Sequence, residues 1–241
     1  MLRKTLYIKP LLCFGFLFAS CFVFAQIEDE TIEKEPVPFY ISVKAGYGHL
    51  NQNGGSAAFP YFSEKNNGFA SFQLRYEVLN NLGIEFSAAH HFMGLDATKA
   101  AEAILYNDSN AQEVSLESGT IEISRLTLGI FKRLAFSERF GVTLSPRMGI
   151  SMLHSPNIQA TVTTEPIMEV HYKSATDTAF LFEGDASFYY VLSNLLQLEL
   201  GLGYAKTTHR PTVIIDSTNK IDDLWEYNLW TVHLGVTYRL F

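Results

Sequence analysis

From Phe39 onward, apolar and polar side chains alternate one for one along eight separate runs of the chain. A period of two gives each run two chemically different faces, the signature of β-strands held between an apolar and a polar medium. In the first run Phe39, Ile41, Val43, Ala45 and Tyr47 oppose Tyr40, Ser42, Lys44 and Gly46. The next three set Phe72, Leu74 and Tyr76 against Gln73 and Arg75, Ile84, Phe86 and Ala88 against Glu85 and Ser87, and Leu126, Leu128 and Ile130 against Arg125 and Thr127. The fifth and sixth set Val142, Leu144 and Met148 against Thr143, Ser145 and Arg147, and Phe182, Ala186 and Phe188 against Glu183, Asp185 and Ser187. The last two set Leu198, Leu200 and Leu202 against Gln197, Glu199 and Gly201, and Val232, Leu234, Val236 and Tyr238 against His233, Thr237 and Arg239. Each run reaches the ~9–11 residues of a tilted membrane crossing.

The connections alternate as strictly as the side chains. Leu79-Asn80-Asn81, the segment AFSER and Ser193-Asn194-Leu195 are short; the links near 49–67, 93–119, 153–177 and 205–224 are long. Tight turns on one side and large loops on the other are what an up-and-down barrel through a membrane requires. Centring a three-residue turn on Asn80 pairs Val78 with Leu82 and Arg75 with Glu85. Centring one on Asn194 pairs Tyr190 with Leu198 and Tyr189 with Glu199. A slip of one residue would mix the two faces. Aromatic residues mark both ends of the apolar faces: Phe39, Tyr76, Phe140, Tyr190 and Tyr238 at the short turns, and Tyr47, Phe92, Tyr204 and Trp230 at the long loops. A soluble two-sheet sandwich also alternates, but it has no need of a double aromatic girdle. Pro146, on the lipid-facing parity, cannot donate a ladder hydrogen bond, so a bulge or local irregularity is expected there.

Residues 1–25 read as a cleaved signal peptide: Arg3, Lys4 and Lys9 precede an apolar stretch from Leu11 to Phe24, closed by Val23-Phe24-Ala25. A membrane anchor helix and a lipoprotein signal at Cys21 are the competing readings. Cleavage after Ala25 removes Cys13 and Cys21, the only two cysteines, and with them disulfide and thiolate chemistry. It also takes 18 basic residues to 15 against 25 acidic ones, a net charge of −10 that speaks against a nucleic-acid partner. Residues 26–38, acidic and ending in Pro36 and Pro38, read as a flexible lead to an expected barrel spanning 39–241.

With FVFAQ, the eight alternating runs and the ending GVTYRLF in place, the chain resembles the small outer-membrane β-barrel family of Gram-negative bacteria. Within it the nearest type is the eight-stranded outer-membrane β-barrel domain or PorT-like group, over Phe39 to Phe241. The resemblance implies an all-β, eight-stranded antiparallel up-and-down transmembrane barrel whose partners are outer-membrane lipid and the barrel-assembly machinery. It implies an assembly signal at Gly235, Tyr238 and Phe241, although Leu240 puts Tyr238 and Phe241 on opposite parities.

An eight-stranded barrel has an interior that side chains can just fill. Lys44, Arg75 and Arg147 fall on the lumen parity with Glu85, Glu183, Asp185 and Glu199, which suggests a structural ion-pair plug, with a proton relay or narrow channel as the lesser reading. Catalytic, cofactor and metal sites are not expected. The GXSXG, HEXXH, GXXXXGK and paired-cysteine patterns do not occur. His90 and His91 fall on opposite faces, and His154-Ser155 is the nearest catalytic candidate. Function is expected in the loops, as a non-enzymatic structural, binding or secretion-accessory role toward an extracellular protein or surface ligand. The alternatives are a narrow small-solute channel and, behind it, a lipid-modifying outer-membrane enzyme. Alternation on both sides of Glu165-Pro166 suggests a protruding hairpin with an edge free for a partner strand. The segment DATKAAEAILYN suggests a loop helix capped by Asp96.

Overall fold

The computed structural model describes residues 38–52, 64–95, 97–98, 101–102, 105, 113–163, 168–215, 219–222 and 224–240. Eight long strands close into an antiparallel barrel: β1 (Phe39–Gln52), β2 (Glu64–Leu79), β3 (Leu82–Leu95), β5 (Thr120–Ala135), β6 (Phe140–His154), β9 (Thr176–Val191), β10 (Leu196–His209) and β13 (Trp225–Arg239). Each pairs with its neighbours along the chain, and β1 pairs with β13 from Tyr40↔Arg239 to Gln52↔Tyr227, so the barrel has no edge. Closure is obligatory in hydrocarbon, where unpaired backbone groups have no water to meet them.

The short turns fix the register. Around Asn194 the pairs Leu198↔Tyr190 and Glu199↔Tyr189 form as the sequence implies. Around Asn80, Arg75↔Glu85 forms, but Leu82 pairs with Leu79 rather than Val78, across an irregularity between Glu77 and Leu79. The turn is therefore two residues, Asn80 and Asn81. Asn81 takes φ 64°, a conformation that asparagine tolerates, and its N–H is held by Glu77 Oε1 at 2.6 Å. At Pro146 the β5–β6 ladder lapses opposite Ile130 and Phe131, while the pairs on either side keep one register. The missing N–H costs bridges there but inserts no bulge.

Outward residues of the middle barrel are apolar and exposed, Leu234 by 67% and Leu128 by 60%. Inward ones are buried and mostly polar. From Phe180 to Tyr190 the outward face of β9 is wholly apolar or glycine. Those ten steps of about 3.3 Å, tilted by roughly 40°, span about 25 Å, the height of an outer-membrane belt. The girdle residues Tyr76, Phe140, Tyr190, Tyr238, Tyr47, Phe92 and Trp230 all face outward and are exposed.

Above Tyr204 and Trp230 the two faces exchange character. Glu122, His154, Thr178, Lys206 and Thr208 point outward and are exposed. Met93, Ile121, Ile123, Leu153, Leu181, Ala205, Trp225, Tyr227 and Leu229 fill the interior as one buried cluster. Burying apolar surface is driven by water, and lipid outside the belt supplies no such drive. An apolar interior is thus favoured only where the outer wall is wet, at roughly 1.5–3 kcal/mol for each large side chain buried.

The long loops add a second sheet of five strands in the order β12-β11-β8-β7-β4: β4 (Glu113–Ser118), β7 (Ile158–Thr163), β8 (Met168–Tyr172), β11 (Thr212–Ile215) and β12 (Asn219–Asp222). Three loops that look separate in sequence are knitted together. The expected hairpin is present as β7 and β8, but neither edge is free: β4 pairs along β7, and β11 meets β8 at Ile215↔Tyr172. The chain itself supplies the partner strands. Ala97, Thr98, Ala101, Glu102 and Leu105 are helical, whereas Asp96, Glu165 and Pro166 lie outside the described residues.

The lumen as candidate functional site

Strand alternation carries one set of side chains from every stave into the lumen. At mid-height these include eight ionisable groups that form a single chain of alternating sign. Asp185 on β9 pairs with Lys44 on β1 at 3.1 Å, and Lys44 with Glu199 on β10 at 3.1 Å. Glu199 pairs with Arg75 on β2 at 2.5 Å, and Arg75 with Glu85 on β3 at 2.5 Å. Glu85 meets Arg147 on β6, Arg147 meets Glu183 on β9, and Glu183 meets Arg125 on β5 at 2.6 Å. All eight are buried. The remaining stave, β13, joins through Thr237 Oγ1, which donates to Glu199 at 2.6 Å, and His233, whose Nε2 accepts from Lys44 at 3.3 Å.

All seven lumen residues named from the sequence lie in this chain. Arg125 is the one it omitted; with it, four cations face four anions. His91 and His233 were also missed. Arg125 donates to His91 Nε2 at 2.6 Å, which fixes His91 as a neutral acceptor stacked on Phe69 at 5.0 Å. Two glycines make the crowding possible. A Cβ at Gly201 would lie 2.4 Å from His233 Nε2, and one at Gly235 2.7 Å from Lys44 Cγ. Gly235, named from the sequence as part of an assembly signal, therefore has a packing role in the lumen. Tyr238 faces outward at the short-turn rim, and Phe241 lies outside the described residues.

Below the charge chain, Arg133 is sandwiched over the rings of Tyr189 at 4.3 Å and Tyr40 at 4.9 Å, and Tyr40 donates to Glu77 at 3.1 Å. The free space bordered by Ser71, Arg125 and Arg147 is about 10 Å³, roughly what one water molecule needs.

Above the belt lies a constellation that the sequence reading did not find. His209 Nε2 is 3.0 Å from Ser151 Oγ, and its Nδ1 is 3.1 Å from Asp177 Oδ2. The register explains it. Ser151 and the ring of His209 flank Ala179, whose short side chain lets them meet, and Asp177 is the next inward residue on β9. The order Ser–His–Asp matches a nucleophilic triad, but Ser151 and His209 have no exposed surface. Both ring nitrogens of a buried histidine are simply satisfied. Burial holds His209 below the ordinary imidazole value, against the opposing pull of Asp177. His154 and Ser155, the candidate pair from the sequence, point to opposite faces: His154 outward, Ser155 inward against the backbone of Ala175. Among the described residues no cluster of three or more potential metal ligands occurs.

A closed barrel, apolar outside and charged inside over the height of one bilayer, is a transmembrane β-barrel of the outer-membrane type. No protein-family model matches the chain, and no curated protein does. Among solved structures it is similar to Ail, the attachment invasion locus protein of Yersinia pestis, at 17% identity and a TM-score of 0.47, over 86% of this chain and 100% of that one. It is similar to Neisserial surface protein A at 10% identity and a TM-score of 0.47, over 83% and 96%. It is also similar to a major outer membrane protein from Thermus thermophilus at 13% identity and a TM-score of 0.45, over 86% and 100%. At these scores the likeness adds nothing to what the barrel's own geometry defines.

Arg75→Met should destabilise the barrel by about 3–5 kcal/mol, because Glu85 and Glu199 each lose a buried partner. Denaturant unfolding in detergent measures it, and a loss below about 1 kcal/mol would mean that the pairs are not coupled as described. For His209 the unfolded chain binds the proton more readily than the folded one. Its stabilising contribution is therefore complete above the unfolded value of about 6.5 and declines as pH falls below it. Side-chain NMR titration should place its midpoint below about 6.5; a midpoint above that contradicts the burial argument.

Proposed function

We propose that this protein is an integral outer-membrane component that works at the cell surface without enzymatic activity, in a structural, binding or secretion-accessory role. The observation that carries the reading is the division of labour along the barrel axis. Opposite charges from seven staves meet in the lumen at mid-height and all eight are buried, so passage of solute is disfavoured. Three of the four long loops, by contrast, join in one five-stranded sheet. A rigid stave set presenting a knitted loop sheet suits recognition of an extracellular protein or surface ligand. In this reading residues 1–25 direct export and are removed, and the barrel-assembly machinery inserts the chain with the short turns facing the periplasm.

The orientation can be tested on the protein as it stands, because both cysteines lie in the expected signal. Lys173→Cys and Lys220→Cys, at exposed positions of the loop side, should react with a membrane-impermeant maleimide on intact cells. Ser137→Cys and Ser193→Cys, exposed at the short turns, should react only after the cells are opened. Equal labelling of the two sets on intact cells would overturn the surface role.

A further inference from the structure

The lipid-facing wall is not uniform. Pro146 on β6 sits opposite Gly184 on β9, and Ala186 follows on the same outward face. None of the three projects a long side chain. A shallow hollow, open to the surrounding medium, lies there, bounded by these residues and Leu202, with Tyr204 and Trp230 at its upper rim. Its surface is almost wholly apolar. A side chain at Gly184 would enter open space, since nothing lies within 4 Å of an added Cβ.

The rim is amphipathic. The rings of Tyr204 and Trp230 lie 4.6 Å apart at 47°, and the Tyr204 hydroxyl donates to Asn228 Oδ1 at 2.7 Å. Such residues settle where hydrocarbon meets headgroups. The next outward residue above Tyr204 on β10 is Lys206, exposed and paired in register with Asn228. Glu226, the nearest outward acid on β13, pairs in register with Thr208, one outward step farther from the rim. An apolar hollow, an aromatic rim and a cation thus follow one another along the barrel axis.

We propose that this hollow is a lipid-binding site that takes one acyl chain of an anionic phospholipid from the long-loop leaflet, with the net negative charge of the headgroup at Lys206. The hollow opens within the apolar belt, where the surrounding medium is acyl chain and an unfilled surface forfeits its dispersion contacts. Lys206 adds the selectivity. A lysine near the membrane surface favours an anionic headgroup by a factor of about five. The proposal rests on the membrane insertion argued above, and the experiment separates the two.

Trp230 is the reporter. The chain has two tryptophans, and the other, Trp225, is fully buried in the upper interior. Quenching of Trp230 emission is read in vesicles that mix phosphatidylglycerol and phosphatidylcholine, with one or the other carrying brominated acyl chains. The protein should show about fivefold selectivity for phosphatidylglycerol at the Trp230 site. Lys206→Gln should abolish the selectivity. Gly184→Leu, which fills the hollow from a position with room for it, should abolish it too while leaving the barrel folded. Equal quenching by the two lipids in the unaltered protein overturns the proposal and leaves membrane insertion standing. Selectivity that survives Gly184→Leu overturns it as well, since Lys206 would then be acting on bulk lipid. Protection of Trp230 from both lipids with cross-linking between copies would assign the hollow to a second chain and overturn it. No quenching and no cross-linking would overturn membrane insertion itself.

Discussion

Asp185, Lys44, Glu199, Arg75, Glu85, Arg147, Glu183 and Arg125 form one buried file of alternating charge, and the rest of the barrel is arranged around it. The file exists because closure leaves no alternative. Once the outer face is given to lipid, the inner face receives the polar half of every strand, and a charge buried there must meet its opposite. Seven of the eight staves contribute an ionic member, and β13 is tied on by Thr237 and His233. Sheet hydrogen bonds fix which strands are neighbours; the ion pairs reach across the lumen, linking β1 with β9 and β10, and β2 with β10.

The same logic explains the exchange of faces above Tyr204 and Trp230. Within the belt the wall is apolar outside, and polar pairing fills the middle. Above it the wall is wet, so Trp225, Tyr227 and Leu229 turn inward and pack with Ile121, Ile123 and Leu153. The molecule has two interiors, one electrostatic and one hydrophobic, meeting near the height of Arg125 and His91.

The barrel was legible in the sequence because period two is dictated by backbone geometry and survives any choice of individual residues. The seven lumen charges were legible for the same reason. Arg125 was within reach, since three cations against four anions leave a buried charge unpaired and Arg125 lies on the lumen parity of its run. The second interior had a signal as well: in IEISRLTLGI and in WEYNLWTVHL the apolar positions shift parity midway. What could not be read was long-range. The pairing of β4 with β7 and of β11 with β8 joins segments tens of residues apart, and short loop strands carry too little periodicity to announce their partners. The encounter of Ser151, Asp177 and His209 across Ala179 depends likewise on the register of three strands together.

The central claim is that the ion-pair file closes the lumen. Single-channel recording of the purified protein in planar bilayers tests it most directly. The account predicts a silent membrane, since all eight charges of the file are paired and buried across the lumen. Steady, reproducible conductance steps from the unaltered protein would contradict it.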